Sequence, residues 1–429
     1  MKLKNKTFLT PSIILLAAIS FFTDISSEMI FPILPLYLIA IGYSPLTIGI
    51  LEGASELIFG FFKLFFAIKA DKSSNPNLFI KLGYTIAAFA KPLIGLTTFS
   101  PLIFGGRILD RFSKSMRSAP RDAILVREST PATRGRTFGF HRAMDTLGAT
   151  LGPIVTLVIL YFFLDSKITT NLQLIFGIAF IPGIIASYLT FKLKDTNQYD
   201  EATTNTTTNR KGNILTQILS TIKETFQIWQ ISSSSFKSVL ITCFLTALIA
   251  GGDMFYLLRL REFGLDATQV LMAYIGLNIT TTLLAYPVGR LLDKINYKNI
   301  YLLLMILLSF NLTLLSFKLD IQWVILSVLL YSTLPLLNEI VLKSWISVEV
   351  NAQSQSRPAT IQGFGLIFQS LGSFVSSIAI GYSWLNFGSS ATYNTLALLT
   401  LIPMMYVTLT KFTNISAIKS DIIACNPKH

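Results

Sequence analysis

The chain has 429 residues, 52% of them hydrophobic and 13% charged, against about 25% charged in soluble domains, and its mean hydropathy is +0.60. That balance excludes a soluble globular protein. Apolar runs of about 18 residues or more also exclude a membrane β-barrel, whose strands alternate over about 10 residues. The net charge of +13 is explained by Lys and Arg gathering on the cytoplasmic side of a membrane, so no nucleic-acid partner is expected.

Twelve spans are expected, at 11–40, 46–68, 77–99, 101–126, 138–163, 171–192, 238–260, 268–290, 299–317, 321–345, 361–384 and 391–411. The start, MKLKNKTFLTPSIILLAAISFF, is similar to a signal peptide. It lacks a clean small-x-small cleavage site and its apolar run continues, so it reads as an uncleaved first span. Basic residues mark the N-terminal tail (Lys2, Lys4, Lys6) and the even-numbered connections, among them Lys69, Lys72, Arg134, Lys194, Lys298 and Arg357. The odd-numbered connections are nearly bare, except for Arg259 and Arg261 after span seven. Both termini are therefore expected in the cytoplasm. Residues 1–192 and 238–411 read as two six-helix bundles, 193–237 as a cytoplasmic linker and 412–429 as a cytoplasmic tail. Within the linker, 196–210 is polar and low in complexity. Ile214, Leu215, Ile218, Leu219, Ile222, Phe226 and Trp229 then recur at helical spacing, the pattern of an amphipathic helix on the membrane face.

Charges inside the spans are the candidates for function, because an ionised group at the bilayer centre costs about 2.5–3.5 kcal/mol on insertion scales. Asp24 and Glu28 sit one turn apart in span one, followed by Pro32 and Pro35. Such a carboxylate pair suits proton coupling; a fixed ion pair with Arg107 is the competing reading. Glu52 and Glu56 in span two read as a structural polar contact toward the outer end. Span four carries Arg107, Asp110, Arg111, Lys114, Arg117, Arg121 and Asp122. Arg107 and Arg111 are expected deep, facing a cavity. Arg117 and Arg121 are expected at a cytoplasmic gate with Asp71 and Glu128, and Asp110 is expected to pair with Lys114 at i,i+4. His141 and Asp145 open span five, where a proton relay and a surface ion pair with loop residues both fit. Gly148-x-x-x-Gly152-Pro153 permits close helix approach and then a bend. In the second half, Asp253, Glu339 and Lys343 are the charged residues inside spans, with Asn338 beside them.

The chain repeats itself. Ala67-x-x-x-Asp71-Lys72 and Gly289-Arg290-x-x-Asp293-Lys294 lie 222 positions apart, as do Gly42 and Gly264; Leu147-Gly148 and Leu371-Gly372 lie 224 apart. Two parallel repeats describe a secondary-transporter body with its site near the midplane. These motifs, with Arg107-x-x-x-Arg111 in span four, resemble the major facilitator superfamily. Gly148-x-x-x-Gly152-Pro153 resembles the glycine-proline motif of its antiporters. Arg117-Ser-Ala-Pro-Arg-Asp-Ala123 and Phe138-Gly-Phe-His-Arg-Ala-Met-Asp145 resemble a bacterial, drug- or metabolite-exporter-like branch. The resemblance implies an all-α membrane protein of twelve helices in two pseudo-symmetric bundles, in the plasma membrane (a bacterial inner membrane). Spans one, four, seven and ten would line the cavity. Asp71, Lys72, Arg117, Arg121, Asp122, Gly289, Arg290 and Asp293 would form cytoplasmic gates.

The sequence carries no nucleotide-binding glycine loop with lysine, serine elbow or His/Cys metal spacing, and Cys243 and Cys425 lie far apart. No enzyme activity, cofactor or metal is expected. The reading is a monomeric secondary transporter that moves a small organic molecule through the lipid bilayer by alternating access. Proton-coupled efflux is the first expectation. Asp24, Glu28, Arg107, Asp110, Arg111, Asp253 and Glu339 are its candidates for coupling or substrate contact. The alternatives are proton-coupled uptake of an organic anion, siderophore or metal chelate, and a transporter-like sensor that moves nothing.

Overall fold

The computed structural model describes residues 9–71, 76–130, 133–163, 168–193, 229–230, 232–250, 252–318, 320–346, 358–410 and 412. Lys72, Arg357 and the expected linker helix up to residue 228 lie outside them, as do 413–429 and the side chains of Asp71, Asp293 and Glu339. Among the described residues every regular element is helical.

The first span is broken. Thr10 caps α1 (Pro11–Ile30) by accepting from the Ile13 amide at 3.3 Å. The chain interrupts at 31–33 around Pro32, which has no N–H to donate, and resumes as α2 (Leu34–Ala40). Gly42 then turns the chain with φ 92°, the left-handed conformation that favours glycine. The Tyr43 amide closes the end of α2 by donating to Leu38 O at 2.9 Å. The seventh span repeats this design: α8 (Ser234–Ala250), Gly252 with φ 76°, α9 (Asp253–Glu262), then Gly264 with φ 92°. The next helices begin with the same capping device at the same offset. Ser44 Oγ accepts from the Thr47 amide at 3.2 Å, and Asp266 Oδ1 accepts from the Gln269 amide at 2.8 Å. The repeat read from Gly42 and Gly264 is thus a repeat of backbone geometry.

The remaining first-half helices are α3 (Pro45–Asp71), α4 (Pro76–Gly95), α5 (Ser100–Glu128), α6 (Arg134–Phe163) and α7 (Ile168–Thr190). In the second half come α10 (Ala267–Lys294), α11 (Tyr297–Ser316), α12 (Ile321–Tyr331) and α13 (Thr333–Leu336). A π-helical segment, Leu337–Leu342, follows. Last are α14 (Pro358–Leu399), kinked at Gly388, and α15 (Leu401–Leu409). Nine helical stretches among the described residues are long and apolar enough to cross a membrane. Of the expected spans, two and four correspond to α3 and α5, which are outside that set. Spans eleven and twelve fall together in the 47-residue stretch Gly363–Leu409.

Within the first half, α1 packs on α6 and α7, and α4 on α5; in the second, α14 packs on α8 and α11. Glycines allow the closest approaches. A Cβ on Gly148 of α6 would meet Phe21 O of α1 at 2.5 Å, and one on Gly372 of α14 would meet Phe244 O of α8 at 2.6 Å. The matched Leu-Gly pairs therefore make matched seams, one in each half. Gly152 likewise approaches Ile25 O at 2.7 Å. The expected hinge at Gly148–Pro153 takes this form: α6 runs through Pro153 as one helix, and its glycines serve close packing on α1. The halves meet where α3 packs on α14, α6 on α10 and α2 on α9.

Arg259, the outlier in the charge pattern, ends up buried. Its guanidinium donates to Leu315 O at 2.8 Å, Phe317 O at 3.2 Å, Ser389 Oγ at 2.5 Å and Ser390 Oγ at 2.9 Å. It also bonds Glu262 at 2.9 Å. One side chain so ties the end of α9 to the end of α11 and the kink of α14. This structural duty explains a basic residue on the side where basic residues are otherwise scarce.

Candidate functional site

The deepest charged cluster is an ion-pair network between α3 and α5. Arg107 donates to Glu52 through Nε at 3.2 Å and through Nη2 at 2.8 and 3.0 Å, with both side chains only 6% exposed. Arg111 reaches Glu52 at 3.4 Å and Glu56 at 3.3 Å. The competing reading of a fixed ion pair between Arg107 and a span-one carboxylate is not what forms: the partner of Arg107 is Glu52, and Glu52 and Glu56 make their polar contact with Arg107 and Arg111 of α5. A fork-shaped guanidinium matches a carboxylate in two bonds, so spacing along α5 fixes where Arg107 points but not which helix answers it. Asp110 lies 3.8 Å from Arg107, its i,i+3 neighbour, instead of forming the expected ion pair with Lys114.

With Arg107 neutralised, the α1 carboxylates are left to other partners. Glu28 accepts a 2.7 Å hydrogen bond from the Tyr274 hydroxyl of α10, a contact between the two halves. Phe31 sits between them, 5.7 Å from the Tyr274 ring and 5.8 Å from the Arg107 guanidinium. Asp24, one turn earlier, feels the charges of Asp145, Lys114, Glu28 and Arg117.

Two cavities meet at this cluster. A small one, about 40 Å³, lies between α1, α4 and α5, bounded by Glu28, Lys91, Arg107, Asp110, Arg111, Lys114 and Arg117. A larger one, about 480 Å³, lies among the first half of α1, the second half of α5 and the start of α6, and reaches Asn338 and Lys343 in the second half. Among the described residues its wall carries seven basic side chains (Lys63, Arg111, Lys114, Arg117, Arg121, Arg142, Lys343) against four acidic ones (Asp24, Glu56, Asp122, Asp145). Asn338 lies in the π-helical segment with its Oδ1 buried and without a hydrogen-bond partner. Such segments widen a helix locally and recur at functional sites.

Arg117, expected at a cytoplasmic gate, is buried. It is 6% exposed, stacks over the Tyr84 ring at 4.6 Å, and lines both cavities. Arg121 pairs with Asp122 at 3.0 Å and donates to Ser20 Oγ at 3.1 Å. His141 is buried as well, with Nε2 3.0 Å from Ser20 Oγ and Nδ1 3.4 Å from Asp145. The surface ion pair expected there is therefore an interior link between α6 and α1. Asp253 is half-buried at the start of α9, hydrogen-bonded by Tyr331. Arg290 is exposed, over the Tyr286 ring at 5.8 Å, immediately after Gly289.

One residue escaped the sequence reading altogether. Lys91, 2% exposed, projects from α4 into the small cavity, and its Nζ has no hydrogen-bond partner. The signal was a single lysine in the apolar run Ala-Ala-Phe-Ala-Lys91-Pro92.

Comparison with known proteins matches this arrangement. The model of the Major Facilitator Superfamily fits residues 16–377. An uncharacterized MFS-type transporter of Methanocaldococcus jannaschii is 30% identical over 306 residues, covering 69% of this chain and 70% of that protein. Among solved structures, the nucleoside transporter NupG superposes with a TM-score of 0.73 at 14% identity over 94% of this chain and 100% of that one. A D-xylose-proton symporter gives 0.68 at 14% identity, over 92% and 95%. At such identities the structural likeness is one of fold.

Proposed function

The chain belongs to the Major Facilitator Superfamily, and from that premise we propose that it carries a small organic anion across the plasma membrane by alternating access, coupled to protons. That it is a multi-pass membrane transporter of small molecules follows from the family. The observation that carries the finer reading is the cavity wall, with seven basic side chains to four acidic ones among the described residues. At about 480 Å³ it falls within the range of about 300–1,000 Å³ common for small-ligand sites. Field lines focused in a low-dielectric cleft raise the local concentration of ions of opposite sign.

Coupling is assigned to Asp24 and Glu28. They share one face of α1, border the two cavities, and have Lys114 and Arg117 among the charges acting on them or lining the same space. An anion entering the cavity competes with these carboxylates for the same cations, and a carboxylate that loses its cation gains a reason to take a proton. The described conformation is read as open toward the cytoplasm, with the Glu28–Tyr274 bond and the α2–α9 contact closing the other side. The gate expected from Asp71, Lys72, Arg117, Arg121, Asp122, Gly289, Arg290 and Asp293 is accordingly narrowed: Arg117 is assigned to cargo, the others to the cytoplasmic rim.

Export in exchange for protons is the proposed direction, resting on the resemblance of Gly148–Pro153 to antiporters; uptake together with protons is its rival. Inverted membrane vesicles with an acid interior separate them. Adding the cargo dissipates the gradient if the protein exchanges the two, and Asp24→Asn abolishes that response. Retention of pH-dependent transport by Asp24→Asn overturns the coupling assignment.

A further inference from the structure

The small cavity holds cationic atoms with nothing to bind. Lys91 Nζ and Arg117 Nη1 are buried and lack hydrogen-bond partners, and Arg111 Nε is in the same condition. A buried polar group left unpaired is costly, and an unpaired lysine inside a membrane bundle marks a functional position. Asp110 acts on Lys91 electrostatically, but no hydrogen bond joins them. Five basic side chains border the cavity. Four carboxylates offset them: Glu28 and Asp110 on the wall, and Glu52 and Glu56 bonded to the arginines behind it. Asp24, on the wall of the larger cavity, acts on Lys91 and Lys114 as well, so the charges balance while Lys91 Nζ and Arg117 Nη1 stay without a hydrogen-bond partner.

The volume is informative too. A cavity needs about 10–15 Å³ of this kind of space per water, so about 40 Å³ accommodates about three. That is the room taken by one carboxylate or phosphate group, not by a whole cargo molecule. Lys114, Arg111 and Arg117 border both cavities, so the small one continues the large one inward.

We propose that the small cavity is a head-group subsite, in which Lys91 of α4 and Arg117 of α5 bind the compact oxyanion of the cargo, a carboxylate or phosphate, while the rest of the molecule occupies the larger cavity. The proposal rests on the anionic-cargo reading and adds to it a specific ligand, Lys91, outside the helices the family resemblance assigns to the cavity. It places selectivity for one terminal oxyanion at the deep end of the path. It also sets Asp110 and Glu28 as the carboxylates that hold the cations in place when the subsite is empty.

The test is binding of inorganic phosphate and of acetate to the purified full chain, by calorimetry in detergent, with tetraethylammonium as the cationic control. The wild-type protein is expected to bind an oxyanion and not the cation. Lys91→Gln is expected to weaken that binding at least tenfold, whereas Lys192→Gln, at an exposed helix end, leaves it unchanged. The double variant Lys91→Gln/Asp110→Asn keeps the net charge and serves if the single variant does not fold. If Lys91 is a ligand, the double variant stays weak; if Lys91 only balances Asp110, the double variant recovers wild-type affinity and the proposal fails. Oxyanion binding by the wild type that Lys91→Gln leaves intact overturns the subsite alone and leaves the anionic cargo standing. A wild type that binds only the cation overturns both. Phosphate binding that disappears when phosphatidylglycerol is added assigns the subsite to a lipid head group and overturns its role in cargo.

Discussion

The two halves share a backbone plan and differ in their chemistry. The positive-φ glycines Gly42 and Gly264, the caps at Ser44 and Asp266, and the seams at Gly148 and Gly372 recur at nearly one offset. Yet the first half buries Glu52, Lys91, Arg107 and Arg117 around two cavities, whereas the second buries Arg259 in a ring of carbonyls and hydroxyls. In span seven the local partners are aromatic: Tyr256 and Tyr331 stack with centroids 3.9 Å apart. The two halves thus turn and pack alike at these points and place their buried charge differently. Among the described residues, the buried charges of the first half gather around the cavities, and buried Arg259 of the second fastens helix ends.

The largest test of this contrast is Glu52→Ala. It strands Arg107 in the protein interior, and loss of one partner of a buried ion pair typically costs about 3–5 kcal/mol. The expected readout is a sharp fall in the midpoint of thermal unfolding, partly restored in Glu52→Ala/Arg107→Met. Arg259→Met comes next, with a loss of about 1.5–3 kcal/mol, the range for hydrogen bonds to a charged group. It is expected to lower the melting temperature while leaving phosphate affinity unchanged; a loss of affinity would erase the proposed division of labour. Gly148→Ala and Gly372→Ala each force a methyl against a backbone carbonyl, at about 1–3 kcal/mol for overpacking. Their costs are expected to be equal, and a large inequality would show that the two seams are not equivalent. The smallest effect belongs to Tyr274→Phe, which removes one hydrogen bond between the halves, about 0.5–1.5 kcal/mol. If that bond favours the cytoplasm-open state, maleimide labelling of a cysteine placed at Gln369 slows about two- to tenfold.

The sequence disclosed the fold more fully than the site, for physical reasons. Span length, the break at Pro32 and the turn at Gly42 are local consequences of hydropathy and backbone chemistry, readable within a few residues. The charge pattern even flagged Arg259 as an exception. Pairing between helices is not local. Arg107 and Glu52 stand 55 positions apart, and span one offered Arg107 two carboxylates as plausible as those of span two. Nothing short of helix packing decides between them. Spacing along span four places Arg117 toward a cytoplasmic gate, but does not show that its guanidinium lies over the ring of Tyr84, on α4. Lys91 was hidden by its surroundings, since one charge in an apolar run leaves a hydropathy signal intact.

The central claim, an anionic cargo drawn into a cationic cavity of the first half, is tested most directly by flux in proteoliposomes containing the full chain. A panel of labelled organic anions, cations and neutral solutes of similar size is loaded, and counterflow is measured with wild type and Lys114→Gln. The account predicts saturable counterflow of an anion, reduced at least tenfold by Lys114→Gln; counterflow of a cation alone, or binding without any flux, would contradict it.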